Sequence, residues 1–135
     1  MKHCVLAALA ATTLFSASSV RAEVVVVVNP KAAEASLSKD QVAQVFLGKS
    51  TALAPIEQSD DAPLRAEFYK KVLEKDAGQV KALWSKLVFT GKATMPKELS
   101  GSAAVKAAVA ANPKAIGYIE KSAVDATVKV VFTAP

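Results

Sequence analysis

Histidine and cysteine occur once each in these 135 residues, as His3 and Cys4, side by side at the N-terminus. From residue 5 onward there is neither imidazole nor thiol, which removes the usual zinc sites, thiol nucleophiles and histidine-based triads together. Disulfides go with them, so packing alone must stabilise the fold. Aromatics make up only 6% of the chain, with Trp84 the single tryptophan. Arginine is scarce as well, at Arg21 and Arg65. The net charge of +5 rests on lysines scattered without a dense run, and nucleic-acid binding is not expected of that pattern. No apolar stretch reaches the roughly 18 to 20 residues that span a bilayer, so stable membrane insertion is not expected either.

What is present begins with Lys2, an apolar stretch from Val5 to Phe15, and Val20-Arg21-Ala22. This is the three-part layout of a secretory signal peptide with cleavage after Ala22. Cys4 precedes the apolar stretch rather than ending it, which argues against a lipid anchor on that residue. Removing 22 residues from 135 leaves 113, near the usual size of one domain, so residues 23–135 are expected to fold as a unit. Without Lys2 and Arg21 the 17 basic residues fall to 15 against 12 acidic ones.

Val24 to Val28 is a β-branched run without polar alternation, the pattern of a strand buried on both faces in a parallel sheet. Leu37-Ser38-Lys39-Asp40-Gln41-Val42 then spells a capping box with a hydrophobic staple, and Gly48 ends that helix. Leu53 to Gln58 reads as extended. A helix from Pro63 to about Glu74 buries Leu64, Phe68, Val72 and Tyr69. Val80, Leu83, Trp84, Leu87 and Val88 form the apolar stripe of the most amphipathic helix, closed by Gly91. A polar connector from Lys92 to Ser100 leads to a last helix over Ser102–Ala111, with Val105, Ala108 and Val109 facing inward. Ala115–Ile119 and Val128–Phe132 read as closing strands. Alternating strands and helices place the chain in the α/β class, a small mixed sheet flanked by about four helices.

Two loops are candidates for anion binding. Ser59 to Pro63 and Ser100-Gly101-Ser102 each feed a helix N-terminus, whose free amides suit phosphate, sulfate or carboxylate. Arg65 lies on the first turn after Ser59 and is either a planar fork for an oxyanion or a surface partner for Asp61 or Glu67. Glu57, Asp60 and Asp61 are clustered in sequence. They fit helix capping better than acid/base catalysis, because they sit in one loop rather than on separate elements around a cleft. Trp84 is expected in the core, and Tyr118 is expected there with its hydroxyl at the surface. No metal site, no cofactor and no enzymatic activity is expected.

Three segments together resemble the periplasmic substrate-binding proteins of phosphate ABC uptake systems. They are Leu37 through Lys49, Ser59 through Phe68, and Ala115-Ile116-Gly117-Tyr118-Ile119-Glu120. The first resembles the family's helix ending in Phe-x-Gly-Lys, and the last its Gly-Ala-Ile-Gly-Tyr strand, with Lys114 in place of the first glycine. The resemblance implies a single three-layer lobe like one half of a type II periplasmic binding protein. It also implies a periplasmic location and a small anion as ligand, phosphate first. The candidate contact residues remain those of the two helix-start loops with Arg65, namely Ser59, Asp60, Arg65, Ser100, Gly101 and Ser102, of which Asp60 alone matches the family's loop, and the implied partner is an ABC permease or another periplasmic protein. The family's phosphate loop reads Arg-x-Asp-Gly-Ser-Gly-Thr, whereas Gln58, Ala62 and Leu64 stand here where its side-chain donors would be. That implies weak binding, or an interaction or scaffold protein that kept the fold and lost the ligand.

Overall fold

A computed structural model describes residues 23–134. The expected signal segment, residues 1–22, lies outside the described residues. In chain order the elements are β1 (Val24–Val28), α1 (Lys39–Phe46), β2 (Ala54–Gln58) and α2 (Pro63–Phe68), which continues into a π-helical turn (Tyr69–Leu73). There follow α3 (Ala77–Phe89), β3 (Lys97–Leu99), α4 (Ser102–Ala111), β4 (Ala115–Glu120), a short 3-10 turn (Lys121–Ala123) and β5 (Lys129–Ala134). The strands make one mixed sheet in the order β3-β2-β4-β1-β5. β2 runs parallel to β3 and β4, whereas β1 is antiparallel to both β4 and β5.

The two-residue period of a strand sorts the valine run between the two faces of the sheet. Val24, Val26 and Val28 join the larger core, shared with side chains of α1, α2 and α3, and Val25 and Val27 join the smaller one with Val105 and Val109 of α4. Three layers result. The expected burial of β1 on both faces is therefore met, but its expected parallel pairing is not. Helices on both sides bury a strand whatever the direction of its neighbours.

Ser38 caps α1 as its sequence predicts. Its hydroxyl accepts from the Gln41 amide at 3.2 Å, and the Gln41 side chain accepts from the Ser38 amide at 2.8 Å. Ser38→Ala should lower stability by about 1 kcal/mol, the usual cost of a lost N-cap hydroxyl. Urea midpoints that coincide for variant and wild type would contradict this. α3 opens with a second reciprocal pair, Asp76 and Gln79, legible as Asp-x-x-Gln. α2 has no such cap. Its N-cap is Ala62, with Pro63 following, and the acidic residues expected to cap it are engaged elsewhere.

Two expectations fail at the rim. The connector from Lys92 to Ser100 contains β3, an edge strand too short and too polar to show a strand period. Val88, expected in the apolar stripe of α3, is exposed together with Phe89, because the last turn of that helix has no covering layer there. Gly117 and Asn29 position α4. A Cβ on Gly117 would come within 2.5 Å of Val105 Cγ1, so only glycine lets α4 lie this close to β4. The buried Asn29 amide donates to the Val109 and Ala110 carbonyls, satisfying the end of that helix.

Candidate functional site

β2, β3 and β4 are parallel and end at the same edge of the sheet, at Gln58, Leu99 and Glu120. In open α/β sheets this is the edge where ligands bind. Backbone and side-chain bonds stitch its loops together. The Ser59 amide donates to the Leu99 carbonyl at 3.0 Å, and Gln58 Nε2 donates to Ser102 Oγ at 3.3 Å and to the Tyr118 carbonyl at 3.0 Å. Ser102 Oγ also accepts from the Glu120 amide. The fold thus gathers Ser59, Asp60, Ser100, Gly101 and Ser102 along one edge, from loops some forty positions apart in sequence. Gly101 is the N-cap of α4 at φ 89°, a conformation that favours glycine, and no side chain caps that helix. The first-turn amides of α4 are therefore open to a ligand.

Arg65 belongs to the same region but turns inward. It is only 8% exposed. Nε donates to the Tyr69 hydroxyl at 3.0 Å, and Nη1 donates to the Gln58 carbonyl at 2.8 Å and to Glu98 at 2.9 Å. Asp60 lies 3.1 Å from the same Nη1. Neither Asp61 nor Glu67, the surface partners expected from sequence, pairs with it. Asp61 instead accepts from the Ser59 hydroxyl at 2.8 Å. Burial works against the guanidinium charge and is the largest single influence, but the hydrogen bond to Glu98 and the pull of Tyr69, Glu57 and Tyr118 together outweigh it, holding Arg65 above its ordinary range.

Beneath Arg65 sits Glu57, 2% exposed. Its Oε2 accepts from the Tyr118 hydroxyl at 2.6 Å and lies 4.0 Å from Arg65 Nε, while its buried Oε1 has no hydrogen-bond partner among the described residues. Desolvation raises the carboxyl above the usual range, although Tyr118, Tyr69 and Arg65 all favour the charged form. Burial beside Glu57 likewise pushes both tyrosine hydroxyls upward. Tyr118 is therefore core as expected, but its hydroxyl is buried rather than at the surface. A cavity of about 50 Å³ lies against Glu57, Arg65, Tyr69, Trp84 and Glu98. It is large enough for a few waters and too small for a hydrated oxyanion. Among the described residues no group of three His, Cys, Asp or Glu side chains is placed to hold a metal ion.

An open mixed sheet covered by helices on both faces, with loops gathered at the ends of its parallel strands, is a fold shared with about half of each of several solved substrate-binding proteins. An ABC-type phosphate transport receptor from Vibrio cholerae superposes with a TM-score of 0.65 at 17% identity, over 81% of this chain and 45% of its own. A phosphate ABC transporter substrate-binding protein from Clostridium perfringens, solved with bound phosphate, gives 0.65 at 22% identity, over 81% and 44%. PstS from Borrelia burgdorferi gives 0.62 at 10% identity, over 81% and 46%. At these identities the likeness is one of fold, and the chain spans less than half the length of each of these proteins. No protein-family model matches the sequence, and no curated protein matches it.

Proposed function

We propose that this is an exported, non-enzymatic, solute-binding-like protein of the periplasm that holds phosphate or another small oxyanion weakly. Its place would be in an uptake or sensing system, with an ABC permease or another periplasmic protein as partner. The observation that carries this reading is the stitching of the Ser59–Asp60 and Ser100–Ser102 loops side by side, next to two helix starts without side-chain caps. The fold neighbours described as phosphate receptors support it. Binding is weak because Asp60, Asp61 and Glu98 stand at this edge and the Arg65 fork is already engaged.

A second reading, an interaction or scaffold protein with no ligand, is favoured by one specific observation. Gln58 through Nε2 and Arg65 through Nε and Nη1 already commit these donors to partners within the protein.

Thermal unfolding with inorganic phosphate, sulfate and molybdate separates the two readings, with sodium chloride at matched ionic strength as control. A ligand selective for the folded state adds about 1.4 kcal/mol at ten times its dissociation constant. Asp60→Asn removes an exposed like charge and should strengthen binding severalfold. Lys70→Ala, further along the chain, should leave it unchanged. No stabilisation by tens of millimolar anion in either wild type or Asp60→Asn would refute the oxyanion reading and favour the scaffold.

A further inference from the structure

The opposite edge of the sheet, where β2, β3 and β4 begin, is built from three segments: residues 47–55, 84–97 and 111–115. They pack together through Gly48, where a Cβ would collide with Leu87, through the Trp84 indole donating to the Phe46 carbonyl at 2.8 Å, and through the Ala54 amide donating to Lys114. None of the three segments contains an aspartate or glutamate. Together they carry Lys49, Lys86, Lys92, Lys97 and Lys114, all exposed. Carboxylates gather instead at the far edge, at Asp60, Asp61, Glu98 and Glu120, so charge is segregated across the sheet.

The basic edge is also apolar and concave. A groove of about 440 Å³ runs along it, walled by Pro55, Ile56, Met95, Ala108, Ala111 and Ala115, with Trp84 also in its lining. Small side chains at three of these positions leave the space open. Met95, in this lining, is 51% exposed, and Val88 and Phe89 of the same 84–97 segment are exposed as well. Large apolar side chains grouped on a surface and rimmed by polar ones mark an interaction site rather than ordinary solvent exposure.

We infer that this edge docks an acidic protein segment that lays one or more apolar side chains into the groove, with its carboxylates meeting the lysine rim. A like-charged second copy presenting the same edge is disfavoured, because lysine would face lysine. A flat lipid surface would meet Phe89 but leave the groove empty. The inference stands apart from the oxyanion site, which lies across the sheet.

Trp84 lines the groove and is the single tryptophan, so its fluorescence reports occupancy directly. The probe is a synthetic octapeptide alternating glutamate with leucine and phenylalanine, titrated against the full chain without phosphate. Saturable binding is expected, weakening at least tenfold from low to high salt and at least tenfold in Met95→Ser and in the Lys92→Glu/Lys97→Glu double variant. All substituted positions are exposed, so thermal midpoints should hold. A peptide with lysine in place of glutamate should not bind. Failure of the acidic peptide at millimolar concentration overturns the inference. So does binding that the charge reversals leave unchanged, or retention on phosphatidylglycerol vesicles with no response to the peptide, which would make the edge a membrane contact.

Discussion

Arg65→Ala should destabilise the protein by about 3 to 5 kcal/mol, the loss expected when one partner of a buried charged network is removed. The guanidinium touches the Tyr69 hydroxyl, the Gln58 carbonyl and two carboxylates, and it is the cation closest to the buried Glu57. Without it Glu57 must be buried either as an unpaired anion or as a neutral acid, so the penalty depends on pH. The folded state already binds the Glu57 proton more tightly than the unfolded chain does, because burial raises this carboxyl. For such a group, stability is present at low pH and is lost as pH rises through the folded-state pKa. Removing Arg65 raises that pKa further. The difference between variant and wild type should therefore shrink as pH falls from neutrality into the acid range in which Glu57, raised by its burial, takes up its proton. Denaturant unfolding of both proteins across that range checks the claim. A penalty independent of pH would mean that Glu57 is not the group left exposed to the loss, and a penalty below about 1 kcal/mol would remove the network as a source of stability.

Trp84→Ala should cost about 3 to 5 kcal/mol, in the range of large-to-small changes at buried aromatic positions. Two losses combine. The indole fills the space between α3 and the end of α1, and its Nε1 donates to the Phe46 carbonyl at 2.8 Å, one of the carbonyls the end of that helix leaves open. Trp84→Phe restores most of the volume without the donor, so it should recover the larger part of the stability and leave about 1 kcal/mol missing. Urea midpoints of the two variants separate packing from hydrogen bonding. Equal losses for alanine and phenylalanine would place the whole contribution in the hydrogen bond.

How much could be read from the chain depended on how local the cause was. Ser38 with Gln41, Pro63 at the start of α2, Gly48 and Gly91 after their helices, and the stripe of Val80 and Trp84 are each set within a few residues, and all appear where the sequence places them. β3 escaped notice because three residues that include two exposed charges show no period. The direction of β1 escaped because a fully buried valine run looks alike in parallel and antiparallel sheets. Val88 was misplaced for a related reason: the stripe continues one turn beyond the layer that covers it. At the candidate site, Ser59, Asp60 and Ser100–Ser102 were legible as helix-start loops. The inward turn of Arg65 was not, because Glu98 and Tyr69 reach it from β3 and the π-helical turn. Glu57 carried one legible signal, a carboxylate amid the buried side of a short strand, but its partner Tyr118 lies 61 positions away.

The pairing of β1 has a consequence in time as well as in space. Val24 and Val25 find their hydrogen-bond partners at Glu120 and Ile119 on one side and at Ala134 and Thr133 on the other, nearly the whole chain away. Contacts so remote in sequence form slowly, because a long loop must close before any of them is rewarded. A chain made from its N-terminus therefore presents the five valines some ninety residues before either flanking strand. For that interval this β-branched, uncharged stretch has no native neighbour. The order in which the residues are made is opposite to the order in which this strand needs its partners, so β1 is a strand that waits, completed only once β4 and β5 exist.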